Sequence, residues 1–473
     1  MPPSPVEPTK ATKAQWIAVW ALLAAAFVSL LDVTVVNLAV RNIADDLAAT
    51  DAQSQWILLA YLVPLAAFLL PLGRFGDALG RRRLFLFGVL AFAAGGLAAG
   101  TAQNVTVLII ARIVQGYGAA TMMPQVLALT QVILPTDQRR RAVGYFGMVS
   151  ALGAIAGPII GGAVLSVDLL GLGWRAVFLL VIPPCVLSSV VVGSYLPRDD
   201  LSTSKRIDIR HGLLVALAVT GLVYAAVQGR PLGWPIWIMA MLTTSLFLLA
   251  HVVHAQRKGV SGKVEPLLPP ELLRSTPFLQ RAAMILLIFS GIAGVPFLMA
   301  IALQDGPDLS PGEVAVALAA HPIFAVAGAA IAGRWAPANP WRLPLIGSSL
   351  TCMGTALTVF AFARVGNDIN APVLLAPLAI VGLGMGLSNV ALMSNALALA
   401  PKEIAGAASG VVQTGQQIGI ALSIAIVGSI YFAATTRTTG DAASTALLYP
   451  VTIFAVASIL CLLGAITHKR KAM

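Results

Sequence analysis

Residues 16–40 read WIAVWALLAAAFVSLLDVTVVNLAV, twenty-five residues that carry one formal charge, Asp32. A bilayer core about 30 Å thick is crossed by about 20 consecutive apolar residues in a helix, so this stretch is a complete span. The same pattern recurs along the chain. Runs near 16–40, 55–72, 84–100, 105–130, 142–165, 176–196, 211–228, 234–254, 279–303, 312–333, 343–363, 371–399, 405–433 and 445–467 all satisfy it, predicting fourteen transmembrane helices. Composition agrees: 58% of residues are hydrophobic and 10% charged, against roughly 45–50% and 25% in soluble domains. A soluble fold is excluded, and the class is an all-α polytopic membrane protein. The first run is too long for a signal core and carries Asp32, so it is read as a retained span. Residues 1–13, MPPSPVEPTKATK, are expected to form a disordered tail.

An even number of spans places both termini on one side. With the N-terminus in the cytoplasm, 24 Lys and Arg fall in cytoplasmic segments, 5 outside (Arg41, Arg175, Arg230, Arg364, Arg437) and Arg112 in the membrane. Acids divide 9 and 9, with Asp32 in the membrane. Positive charge alone is read during insertion, so the +11 balance reports topology in a cell membrane and does not mark a nucleic-acid surface. Cys185, Cys352 and Cys461 sit in apolar runs without a CxxC or a neighbouring His, which predicts neither disulfides nor a metal site. No cofactor is expected.

The spans repeat. GRFGD at 73–77, after span two, is echoed by GRW at 333–335, after span ten; VQGYGAA at 114–120 in span four is echoed by IVGLGMG at 380–386 in span twelve. Spans one to six therefore match spans nine to fourteen. The predicted organisation is a six-helix bundle over 14–198, two inserted helices with their loops over 199–277, a second six-helix bundle over 278–468 and a tail at 469–473. Duplicated halves of this kind suit alternating access to a central cavity.

Only Asp32 and Arg112 are formal charges well inside the spans, and an intramembrane ion costs at least about 2.5–3.5 kcal/mol on insertion scales. Asp32 lies eight residues before the outer end of span one, Arg112 seven after the start of span four. At 1.5 Å per residue both sit about 10–12 Å deep, so direct or water-mediated coupling is expected. A change of hydration between two facing states would then load and release a proton; a static pair that sets helix register is the alternative. Asn37 and Gln115 continue the polar faces. With them, Met122, Met123, His321, Gln413 and Gln416 are candidates for a substrate cavity, with simple packing the alternative for the methionines and structural hydrogen bonding or a proton relay for His321. In the turn GRFGDALGRRR (73–83), Gly73, Gly76 and Gly80 allow close backbone approach, Asp77 can accept from an Arg or a helix N-terminus, and Arg81 begins a run held at the membrane face. AIAGPIIGG (154–162) in span five combines small residues, including Gly157, with the helix-bending Pro158.

Taken together, these motifs resemble the major facilitator superfamily, and within it the fourteen-span drug:proton antiporter family. GRFGDALGRRR resembles the superfamily loop between spans two and three. ARIVQGYGAA (111–120) resembles the proton-coupling motif of span four, and ALGAIAGPIIGG (151–162) the span-five motif of antiporters. LDVTVVNLAV (31–40) and GWRAVF (173–178) fit the same family. The resemblance covers residues 16–468. It implies proton coupling at Asp32 and Arg112 and gating at Gly73, Asp77, Arg81, Gly157 and Pro158. The chain departs from members with additional acids in spans ten or thirteen, offering only Glu313 at the outer mouth of span ten, which argues against export of polycations. Val40-Arg41 stands where the family often has a proline.

The expected function is proton-coupled export of amphipathic drugs or antibiotics by a monomer in the lipid bilayer. The alternative is proton-coupled transport of a defined metabolite such as an amino acid, siderophore or lipid. An enzyme is disfavoured by the absence of HExxH, CxxC, GxSxG or a clustered His/Asp set, and a channel by the absence of a filter-like loop.

Overall fold

The computed structural model describes residues 11–167, 171–196, 206–230, 232–258, 264–306, 309–335, 339–400, 404–434 and 438–472. Almost all of them are helical. The elements are α1 Lys13–Asp46, α2 Asp51–Leu79, α3 Arg81–Gly100, α4 Val105–Ile133, α5 Thr136–Val167, α6 Arg175–Leu179, α7 Ile182–Tyr195, α8 Ile209–Gln228 and α9 Ile236–Lys258, then α10 Pro270–Arg274, α11 Thr276–Ile292, α12 Gly294–Asp305, α13 Pro311–Arg334, α14 Arg342–Val365, α15 Ala371–Leu397, α16 Ala405–Ala433 and α17 Thr439–Ala472. Among the described residues thirteen helices are long and apolar enough to cross a membrane. Helix α5 takes the fifth place in the predicted order, its apolar stretch being Ile155–Val167.

Two predicted spans are broken. Span six divides into α6 and α7 because Pro183 and Pro184 lack the N–H groups that a continuous helix would use. Span nine divides at Ala293, just before Pro296. The freed amide of Gly294 is not left bare, since it donates to Ser423 Oγ of α16 at 2.8 Å. Buried non-helical backbone within a membrane persists only where such a partner is supplied. Three helices begin at capping boxes that the sequence provides: Thr12 with Gln15, Thr50 with Gln53 and Ser310 with Glu313. Of the expected disordered tail, residues 1–10 lie outside the described residues, and helix begins at Lys13. At the other end α17 continues to Ala472, through most of the expected tail.

The contacts repeat as the sequence echoes do. Helix α1 packs on α5, α2 on α4, α3 on α4 and α1 on α7; the counterparts α11 on α16, α13 on α15, α14 on α15 and α11 on α17 are also made. Between the halves the main contacts are α2 with α16 and α5 with α13, which exchange with one another under the same repeat. The molecule is thus two six-span bundles with an inserted pair. Helix α8 rests against both α2 and α16, and α9 rests against α8. Ser429 Oγ of α16 donates to the Ala226 carbonyl at 3.1 Å, tying the inserted pair to the second half.

The described parts of the connections around this pair are fastened to the helices. Arg206–Ile207 (β1) and Val264–Glu265 (β2) form a two-residue parallel ladder, a small departure from the all-α expectation. Asp208 caps α8 and accepts from Gln256 Nε2 at 2.8 Å, while Gln256 Oε1 accepts the Leu268 amide. Arg74, at the end of α2, donates to the Pro266 carbonyl at 3.1 Å. Leu267, Leu268 and Leu273 are buried with Ala66, Ala67 and Leu70 of α2. Helix α1 begins on the same side of the molecule as these connections; the opposite side, where α1, α12 and α16 end, is the far side.

Candidate functional site

Asp32 of α1 and Arg112 of α4 meet in the interior of the first half. Arg112 NH1 donates to Asp32 Oδ2 at 2.5 Å, and both side chains are fully buried. The guanidinium is held from several sides: Nε donates to the Ile57 carbonyl at 3.1 Å, NH1 also to Gln115 Oε1 at 2.9 Å, and the group lies 4.5 Å from the Tyr61 ring and 5.6 Å from the Phe178 ring. A guanidinium stacked on aromatic faces keeps a favourable field when water is excluded. Tyr61 is in turn fixed by Ser29, whose hydroxyl lies 2.8 Å from the Tyr61 hydroxyl.

Glycines make this arrangement possible. A β-carbon at Gly116 would fall on the Tyr61 carbonyl oxygen, so α4 reaches α2 closely enough to stack Arg112 only because position 116 has no side chain. At Gly95 of α3 a β-carbon would sit 2.6 Å from Gln115 Cγ, so α3 makes room for the glutamine that holds Arg112. Three polar atoms of the cluster have no partner among the described residues: Asp32 Oδ1, Arg112 NH2 and Gln115 Nε2. A buried group with an unmade hydrogen bond costs about 1–3 kcal/mol. The site therefore holds an acceptor and two donors in reserve, which suits a proton or a water that comes and goes.

A second cluster, at the far side, joins the two halves. Arg41 NH1 of α1 pairs with Asp305 Oδ1 of α12 at 2.5 Å, Arg41 Nε pairs with Asp45 at 3.0 Å, and Tyr431 of α16 donates to Asp305 Oδ2 at 3.2 Å. One turn away Gln304 Nε2 reaches the Leu38 carbonyl at 3.4 Å. Around these contacts residues 35–40 of α1 and most of α12 are buried, so the halves are shut against each other on the far side. Asp305 is not among the candidates that the sequence singles out, since it lies two residues beyond the expected end of span nine. The available signal was Arg41, one of five cations outside, facing span nine once the repeat is applied.

The other candidate residues are dispersed. Asn37 is buried, and its Oδ1 has no partner among the described residues. Met122 is fully buried at the contact of α4 with Gly88 of α3, a packing position, whereas Met123 is half-buried. His321 sits on α13 with its carbonyl against Gly382 of α15, and its Nε2 has no partner among the described residues. Gln413 donates to Ser409 at 2.9 Å and Gln416 to Asn389 of α15 at 2.9 Å.

Among the gating candidates, Gly73 packs near Pro124 of α4, and Gly80 has φ +97° where α2 turns into α3, a conformation that favours glycine. Arg81 NH1 donates to the Ala128 carbonyl at 3.3 Å. The side chain of Asp77 lies outside the described residues. Gly157 faces Thr34 of α1 with no room for a β-carbon, and Pro158 follows it, buried within α5.

Comparison with known proteins places this geometry. Residues 22–424 match the family model described as Major Facilitator Superfamily. The chain is 33% identical over 425 residues to a probable actinorhodin transporter of Streptomyces coelicolor, covering 88% of this chain and 72% of that protein. It is 30% identical over 422 residues to the tetracenomycin C resistance and export protein of Streptomyces glaucescens, covering 87% and 75%. Among solved structures, an inward-facing bacterial homologue of the human lysosomal transporter Spinster superposes with a TM-score of 0.69 at 16% identity, covering 97% and 98% of the two chains, a likeness of fold. With its duplicated six-span halves and its family match across most of its length, the chain is a multi-pass membrane transporter and belongs to the Major Facilitator Superfamily.

Proposed function

We propose that this protein is a proton-coupled exporter of amphipathic drugs or antibiotics, acting as a monomer by alternating access in the plasma membrane with both termini in the cytoplasm. The observation that carries the coupling is the sealed Asp32–Arg112 pair with its unused carboxylate oxygen. A proton added at Asp32 Oδ1 neutralises the carboxylate and loosens its hold on Arg112 NH1. Arg112 stays in place, because its other supports come from Ile57 and Tyr61 of α2, Gln115 of α4 and Phe178 of α6. The helix set free is α1, which also carries Arg41 of the far-side cluster and the Thr34 face against α5. Proton arrival and opening between the halves are thereby linked through one helix; α2 stays helical through most of the expected 73–83 turn, so the joint at Gly80 between α2 and α3, with Gly157-Pro158 in α5, accommodates the motion. The export reading draws its support from the antibiotic exporters to which the chain is similar.

The test is reconstituted transport on an imposed pH gradient with a substrate panel that includes actinorhodin and tetracenomycin C. Asp32→Asn protein that elutes as a folded monomer is expected to lose uphill movement. Uphill movement at the wild-type rate by that variant sinks the coupling role of Asp32. Orientation is tested separately in intact cells. A cysteine at position 261 is expected to resist an impermeant maleimide while one at position 51 reacts, and the reverse pattern would invert the topology.

A further inference from the structure

We propose that an acyl chain of a bilayer phospholipid with an ammonium-bearing headgroup occupies a lateral groove between α5, α13 and α15, at the seam of the two halves. The groove has a volume of about 740 Å³, within the range of small-molecule sites. Gly162, Ala315 and Ala320 are buried at its base, while Ile159, Val316, Ile323 and Phe324 stand exposed along its edges, so it opens sideways. Its position decides what fills it. The lining residues lie within α5, α13 and α15 at membrane depth, where water is excluded and the available apolar molecules are lipids.

Length and charge narrow the occupant further. Along α13 the groove runs from Gly312 to Phe324, about 18 Å at 1.5 Å per residue, close to the roughly 15 Å of hydrocarbon in one leaflet. An extended chain entering from the far-side leaflet fits it end to end. The lining is apolar apart from Ser166, so it offers almost nothing to orient a drug by hydrogen bonding. At the mouth stands Glu313, exposed beside Gly312, and among the described residues no lining residue is cationic. An acid there favours an ammonium headgroup over an anionic one. The groove also has a mechanical meaning: Ser166 of α5 lies next to Gly312 of α13, so its walls come from both halves. A chain seated in it favours the arrangement in which those helices meet.

The experiment uses the full-length protein in vesicles of phosphatidylethanolamine and phosphatidylglycerol, with a phosphatidylethanolamine probe bearing a photoreactive diazirine in mid-chain. Crosslinks are expected to concentrate on 159–166 and 312–324, and to be lost from those positions in Ala319→Phe, whose ring would fill the space between the groove walls that a chain needs. Leu217→Phe on the exposed face of α8 should change nothing. Ala163→Leu, a milder filling on α5, provides the same reading if Ala319→Phe fails to fold. Labelling spread evenly over exposed positions such as Leu217 and Phe247 would overturn the proposal. So would equal labelling by a phosphatidylglycerol probe for the headgroup, protein–protein crosslinks pointing to a second copy in the groove, or displacement of the probe by transported drugs.

Discussion

The fourth span and its repeat partner, the twelfth, are built on the same frame and used differently. Gly116 of α4 presses on the Tyr61 carbonyl of α2, and Gly382 of α15 presses on the His321 carbonyl of α13. Gly118 lies against Gly88 and Phe92 of α3, and Gly384 against Gly347 and Thr351 of α14. The backbone contacts match glycine for glycine, so Tyr61 and His321 occupy equivalent places. The charges do not match. Arg112 corresponds to Leu378 and Gln115 to Val381, both buried in an apolar setting. Scaffold and chemistry are therefore separable: close helix packing was kept in both halves, while an intramembrane ion pair, costly to keep, is held in one.

The largest effect is expected from making the first half copy the second. Arg112→Leu leaves Asp32 buried without its cation, which costs about 3–5 kcal/mol, and should lose both proton-driven efflux and much of the monodisperse protein on gel filtration. Adding Asp32→Asn to it should restore folded yield without restoring efflux. Recovery of both would reduce the pair to a structural device. Next come the shared glycines. Gly116→Ala and Gly382→Ala should each destabilise by about 1–3 kcal/mol through overpacking, with similar drops in thermal midpoint. A much larger loss at one of them would show that the frames are not equivalent. Asp305→Asn is expected to change thermal stability little, because a partly exposed pair contributes at most about 1 kcal/mol. It should nevertheless speed labelling of a cysteine placed at Asn37 by a maleimide added from the far side; unchanged labelling would remove the far-side cluster from gating. The smallest effect belongs to His321→Gln, predicted to leave uphill transport within experimental scatter since the contact with Gly382 is made by the backbone carbonyl and survives the change of side chain. Loss of coupling there would make the second half a participant in proton movement.

Much of this was legible in the sequence because membrane helices are written in long uniform runs. Span order, the repeat and the common depth of Asp32 and Arg112 follow from length, charge and rise per residue. The breaks at Val181 and Ala293 were not, because apolar runs continue through both and hydropathy does not register a missing amide partner. Met122 shows another limit: a methionine lining a cavity and one filling an interhelical gap have the same sequence signature. Asp305 escaped because it sits at a span end, where an acid is ordinary. Only the neighbours Arg41 and Tyr431, far away in sequence, distinguish it.

The inserted pair has a consequence for how such a molecule can open. Helix α8 leans on α2 from one half and α16 from the other, and the chain around it is fastened by the 206–207/264–265 ladder and by Arg74. Opening between the halves has to carry that fastening with it, so the flank of α2 and α16 is the more tightly tied of the two seams, and the seam between α5 and α13 carries no such strap among the described residues.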